Sequence, residues 1–214
     1  MRERNYSILD GFISNIDCHL GAFFKEARQT ARAYPAEKVG DLVLDESERR
    51  QSEGFMRVNH AGEISAQALY QAQAITARDS KLRDAMRRSA DEEIDHLVWC
   101  EKRLHELGGH TSYLRPFWFI GSFTIGSLAG LIGDKWSLGF VVETENQVVA
   151  HLDEHLEKIS EADLRSRMIL EQMREDEAHH ASVALYAGAA ELPGPVKKMM
   201  RLFSKVMAKT AYWI

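Results

Sequence analysis

Cysteine and proline are both scarce in this chain. The two cysteines, Cys18 and Cys100, are too few for a disulfide framework, and with no CxxC pair they exclude a zinc ribbon or a rubredoxin-type iron site. A reducing compartment is expected. The four prolines, Pro35, Pro116, Pro193 and Pro195, leave residues 36–115 and 117–192 free of the strongest helix breaker, so long helices are expected there. The N-terminal MRERNYSILDGF lacks the apolar stretch of a secretory leader, and Glu3 and Asp10 do not fit an acid-poor transit peptide. No charge interrupts residues 117–132, but a helix of that length spans only about 24 Å, short of a hydrocarbon layer of roughly 30 Å. A buried or interfacial apolar element is therefore expected there, not a membrane crossing.

Acid is absent from residues 196–214, which carry Lys197, Lys198, Arg201, Lys205 and Lys209. The net charge of the chain is −5, so this +5 tail follows a body of −10. Such a balance argues against nucleic acid as a partner and turns the tail towards an anionic surface.

Apolar periodicity predicts an all-α chain. Residues 7–32 place Ile8, Phe12, Ile16, Leu20 and Phe23 at helical spacing, and a polar linker with Pro35 and Gly40 follows. Long helices are expected over about 46–77, 82–107, 137–158 and 163–190, with Gly108-Gly109 stopping the second. The expected organisation is one domain over 1–214: an N-terminal helix and linker (1–45), a four-helix core (46–192) with an apolar insert (113–133), and a basic amphipathic tail (196–214). The tail repeats Met199, Met200, Phe203, Val206 and Met207 and ends on Tyr212 and Trp213. Two readings fit it, a helix docked on the bundle and a helix lying in a membrane interface.

Glu-x-x-His occurs twice, at Glu93/His96 in EEIDHLVW and at Glu177/His180 in DEAHHASV. Residues i and i+3 share a helix face, so each pair can offer a carboxylate and an imidazole to one ion. Both glutamates lie on apolar faces, and a buried carboxylate without a partner costs several kcal/mol. Helix-bundle sites for two iron or manganese ions take one Glu from each of two helices and a Glu-x-x-His from each of the other two. Glu63 and Glu145 are the inward glutamates of the remaining helices, whereas Glu143 reads as outward. They precede their partners Glu93 and Glu177 by 30 and 32 residues. The candidate metal ligands are thus Glu63, Glu93, His96, Glu145, Glu177 and His180, a set that suits iron or manganese. His179 reads as exposed or supporting, His60 as supporting or ordinary, His151 as surface or flanking the site's entrance, and His19, His105, His110 and His155 as solvated.

The stretches RVNHAGEISAQALYQAQ, DEEIDHL, VVETENQVVAHLDEHL and MREDEAHHASVALYAGAAELP resemble the demethoxyubiquinone hydroxylase family, in order from about Arg57 onwards. The resemblance implies a ferritin-like four-helix bundle with additional N-terminal, interfacial apolar and C-terminal amphipathic helices. It implies a monooxygenase that holds two iron ions per chain on the six residues named and hydroxylates the ring of a polyprenyl benzoquinol with O2 in ubiquinone biosynthesis. It further implies a peripheral position on the membrane surface and contact with proteins of a ubiquinone-biosynthesis complex. The expected location is the cytoplasmic face of a bacterial inner membrane, or the matrix face of the mitochondrial inner membrane for a mature form. An iron-storing cage would share the six ligands but has little use for the apolar run and basic tail. One departure is visible: many relatives carry His-Tyr where this chain has His151-Leu152.

Overall fold

The computed structural model describes residues 32–40 and 43–214. Apart from Arg32, the helix expected over 7–32 lies outside them. The described residues form six helices and no strand: α1 (Glu46–Thr76), α2 (Ser80–Glu106), α3 (Arg115–Ile132), α4 (Asp134–Lys158), α5 (Leu164–Tyr186) and α6 (Gly194–Ala211).

Local signals set the helix starts. Asp45 caps α1 in a capping box, its carboxylate accepting from the Glu48 amide while Glu48 accepts from the Asp45 amide. Asp79 and Asp163 cap α2 and α5 in the same sense. The carboxylate of Asp134, at the start of α4, accepts from the amides of Arg78 and Asp79 and so ties the α1–α2 turn to the α3–α4 turn. α5 stops at Tyr186, short of the expected 190, because Gly188 takes a positive φ of 95° that ends the helix.

α1 and α2 form one antiparallel hairpin and α4 and α5 another, and α3 is the long crossover between them, the connectivity of a ferritin-like bundle. α3 runs back along the outside of α1. A Cβ on Gly126 would lie 2.9 Å from the Leu69 carbonyl oxygen, so the two backbones touch there. α4 runs antiparallel to α1, as the contacts Gln73 to Ser137, Tyr70 to Glu145 and Asn59 to His155 show.

Two apolar clusters fill the bundle. One gathers Met56, Trp99, Cys100, Leu104, Leu152, Ile169 and Met173; the other gathers Tyr70, Ala74, Met86, Ala90, Leu138, Val141 and Ala184. Leu152, at the departure from the family's pattern, is thus a core residue, 1% exposed.

α6 lies along α1 and α4. Tyr212 packs edge-on to Phe55 and Met207 meets the Ser65 hydroxyl on α1, while Ser204 meets His151 on α4. Its other side exposes Met199, Leu202, Phe203 and Val206, and α3 likewise exposes Phe117, Ile120, Leu128 and Leu131. No helix among the described residues is long and apolar enough to cross a membrane.

Candidate metal centre

Six side chains meet between the two apolar clusters. α1 contributes Glu63, α4 contributes Glu145, α2 contributes Glu93 and His96, and α5 contributes Glu177 and His180, none more than 7% exposed. Their donor atoms form two groups, Glu63, Glu93, His96 and Glu177, and Glu93, Glu145, Glu177 and His180. Within each group the atoms all lie within 4.8 Å of one another. Glu93 and Glu177 belong to both groups, so each could offer an oxygen to either of two ions.

The imidazoles are oriented alike. Nδ1 of His96 lies 3.0 Å from Glu177 Oε1 and 3.3 Å from Glu63 Oε2, and Nδ1 of His180 lies 3.2 Å from Glu177 Oε2. Each Nε2 turns away from the cluster to an acid: His96 to Asp176 Oδ2 at 2.9 Å and His180 to Glu92 Oε2 at 2.7 Å. With Nε2–H donating outward, a neutral ring would turn its Nδ1 lone pair to the cluster, the form in which it could bind an ion. The bracing is reciprocal, because Asp176 precedes Glu177 on α5 and serves the histidine of α2, while Glu92 precedes Glu93 on α2 and serves the histidine of α5. Asp176 is further held by Arg32, at 2.6 and 3.2 Å. Burial opposes its ionisation, but the bonds from His96 and Arg32 outweigh that and hold its carboxyl at about 2.

Charge decides what the cluster can hold. Burial foremost, and then the neighbouring Glu177, push the carboxyls of Glu93 and Glu145 well above the usual range. Burial acts on Glu177 too, but hydrogen bonds from His180 and His96 outweigh it and keep this carboxyl low. Glu93 Oε1 and Glu145 Oε2 are buried with no hydrogen-bond partner. Four carboxylates packed this closely are not all ionised without compensating cations. Two divalent ions match four negative charges, and the oxygens and imidazole nitrogens are donors that iron or manganese accepts. The residues present fit a two-ion centre.

Three neighbours escaped the sequence reading. Asp176 and Glu92 were visible only as acids placed one residue before each Glu-x-x-His. Tyr70, two turns after Glu63, donates its hydroxyl to Glu145 Oε1 at 2.5 Å, and burial foremost, then Glu145, keep its phenol protonated far above the ordinary value. Other readings need correction. His155, expected to be solvated, is buried, stacked on Phe55 at 4.5 Å and bonded through Nδ1 to Asn59 Oδ1 at 2.9 Å. Glu143, expected to face outward, is 9% exposed because Gln147 bonds it and α6 covers it with Lys197 and Arg201. His105, His110 and His179 are exposed, His151 is half-buried against Ser204, and His60 is buried.

A relative from Nitrosococcus oceani, named 3-demethoxyubiquinol 3-hydroxylase, is 58% identical over the whole of both chains. Relatives of the same name from Polynucleobacter asymbioticus and Legionella pneumophila are each 50% identical, over 97% and 99% of this chain and the whole of theirs. The family model described as ubiquinone biosynthesis protein COQ7 matches residues 50–211, which hold all six converging residues, and the chain belongs to that family.

Proposed function

We propose that the chain is a 3-demethoxyubiquinol 3-hydroxylase that uses O2 and two iron ions per chain to hydroxylate the ring of a 2-methoxy-5-methyl-6-polyprenyl-1,4-benzoquinol. The observation that carries this reading is the pair of buried four-ligand groups sharing Glu93 and Glu177, in a chain whose full-length relatives bear that name. Glu63, Glu93, His96, Glu145, Glu177 and His180 hold the metal. When bound, the ferrous pair supplies two electrons and the place where dioxygen is activated.

The protein's own part is to hold, orient and exclude. Asp176 and Glu92 fix the orientation of the imidazoles, so that Nδ1 of each ring faces the centre. The apolar clusters on either side keep bulk water from a centre that reduces oxygen. Between α1 and α4 a narrow seam is lined by Ala66, Leu69, Phe140 and Val141 together with Tyr70 and Glu145.

The same reading places the chain on a membrane surface. α3 and α6 flank the seam, α3 packing Gly126 against Leu69 and α6 packing Met207 against Ser65. Both turn apolar side chains outward, with Phe117 71% and Leu202 62% exposed. A quinol with a polyprenyl tail stays in the bilayer, so an enzyme acting on it gains from such a face. The proposed location is the cytoplasmic face of a bacterial inner membrane.

The test is the quinone profile of cells lacking the gene. Accumulated quinone lacking one methoxy group, cleared by the wild-type chain and left by Glu177→Ala, is the expected result. Normal ubiquinone in the deleted cells contradicts the reading.

A further inference from the structure

The two carboxylates that belong to one ligand group each, Glu63 and Glu145, occupy equivalent places in the two halves of the bundle but have different neighbours. Glu63 Oε2 faces His96 Nδ1 at 3.3 Å. Glu145 Oε1 accepts the Tyr70 hydroxyl at 2.5 Å, while its Oε2 is buried with no hydrogen bond. The oxygens of Glu145 are therefore distinguished by the protein: a phenol occupies one and the other is left for an ion. Tyr70 is fixed in this place, being 2% exposed with its ring edge-on to the His180 imidazole at 6.1 Å. Tyr70 and Glu145 also line the α1–α4 seam.

We propose that Tyr70 is a positioning residue whose hydroxyl reserves Glu145 Oε1, so that Glu145 binds the ion it shares with His180 through Oε2 alone and leaves a coordination position open towards the seam. A carboxylate binding through both oxygens takes one more position on its ion. Tying one oxygen to a buried donor prevents this on the side that faces the seam, whereas the contact of Glu63 among the described residues is with His96. The two ions are then inequivalent, and the one beside Glu145 is the one open to dioxygen or substrate.

The inference rests on the metal reading, and its test separates the two. The full chain and its Tyr70→Phe variant, which keeps the ring and loses only the hydroxyl, are loaded anaerobically with 57Fe(II). Iron per chain is counted and Mössbauer spectra are recorded. Two irons in each protein, with one quadrupole doublet altered in the variant and the other unchanged, is the expected result, together with at least tenfold weaker azide binding to the variant. Two irons with both doublets unchanged overturns the inference and leaves the metal reading standing. Loss of one iron from a folded variant also overturns it, since the hydroxyl would then be a requirement for binding. Wild-type chain that binds no iron overturns both. Should Tyr70→Phe not fold, wild-type chain made with 3-fluorotyrosine, a stronger donor, replaces it: a shift of one doublet supports the inference, and an unshifted spectrum overturns it.

Discussion

Glu177 and Glu93 carry a different weight from Glu63 and Glu145, because each stands in both ligand groups. Glu177→Ala is expected to abolish binding of both ions, whereas Glu63→Ala, which touches one group, is expected to retain one; iron counted per folded chain distinguishes these. The braces differ as well. Asp176 is clamped by Arg32 and largely shielded, while Glu92 is 51% exposed at its side chain. Asp176→Asn should therefore weaken iron binding about 10–100-fold, and Glu92→Gln should cost less, as measured by competition with a chelator. His155 gives a prediction with a sign. Burial first, and then nearby His151, lower its value to about 4. Its neutral ring therefore contributes stability that is complete above about 6.5 and is lost as pH falls towards about 4, amounting to about 3 kcal/mol at most. His155→Gln should shrink the drop in melting temperature between about pH 7.5 and about pH 5 relative to wild type; an unchanged drop contradicts this assignment. The six converging residues were legible because i, i+3 spacing is a property of one helix and the missing glutamates follow from bundle symmetry. Tyr70, Asp176 and His155 were not, because each acts across a helix interface whose register no single helix reveals.

The helices themselves were legible from long apolar periodicity without proline. The end of α5 was not, since Gly188 lies within a run that still reads as helical. At this scale α3 depends on its close approach to α1. Gly126→Val would drive a side chain into the Leu69 backbone, at a cost of about 1–3 kcal/mol, and should loosen α3 while leaving the iron count unchanged. Hydrogen exchange of α3 amides checks this. α6 docks on the bundle, with Lys197 and Arg201 reaching Glu143 and Tyr212 packing on Phe55, and it leaves Leu202 and Phe203 exposed. Replacing Leu202 and Phe203 by Asp should weaken partition onto anionic vesicles more than tenfold, with the iron spectrum preserved, on about 2 kcal/mol per buried side chain. Unchanged flotation with vesicles would confine α6 to a bundle-packing role.

For the whole molecule, an acidic body whose buried carboxylates need cations is joined to a basic, partly apolar face. The seam beside Glu145 lies between α1 and α4, the two helices along which α6 packs. The most direct test is to give the purified, iron-loaded chain a short-tailed demethoxyubiquinol, a reductant and 18O2, and to weigh the product. One 18O atom per hydroxyquinol, absent with Glu177→Ala, is the predicted result. Product without 18O, or no product from a chain that holds two irons, would contradict the account.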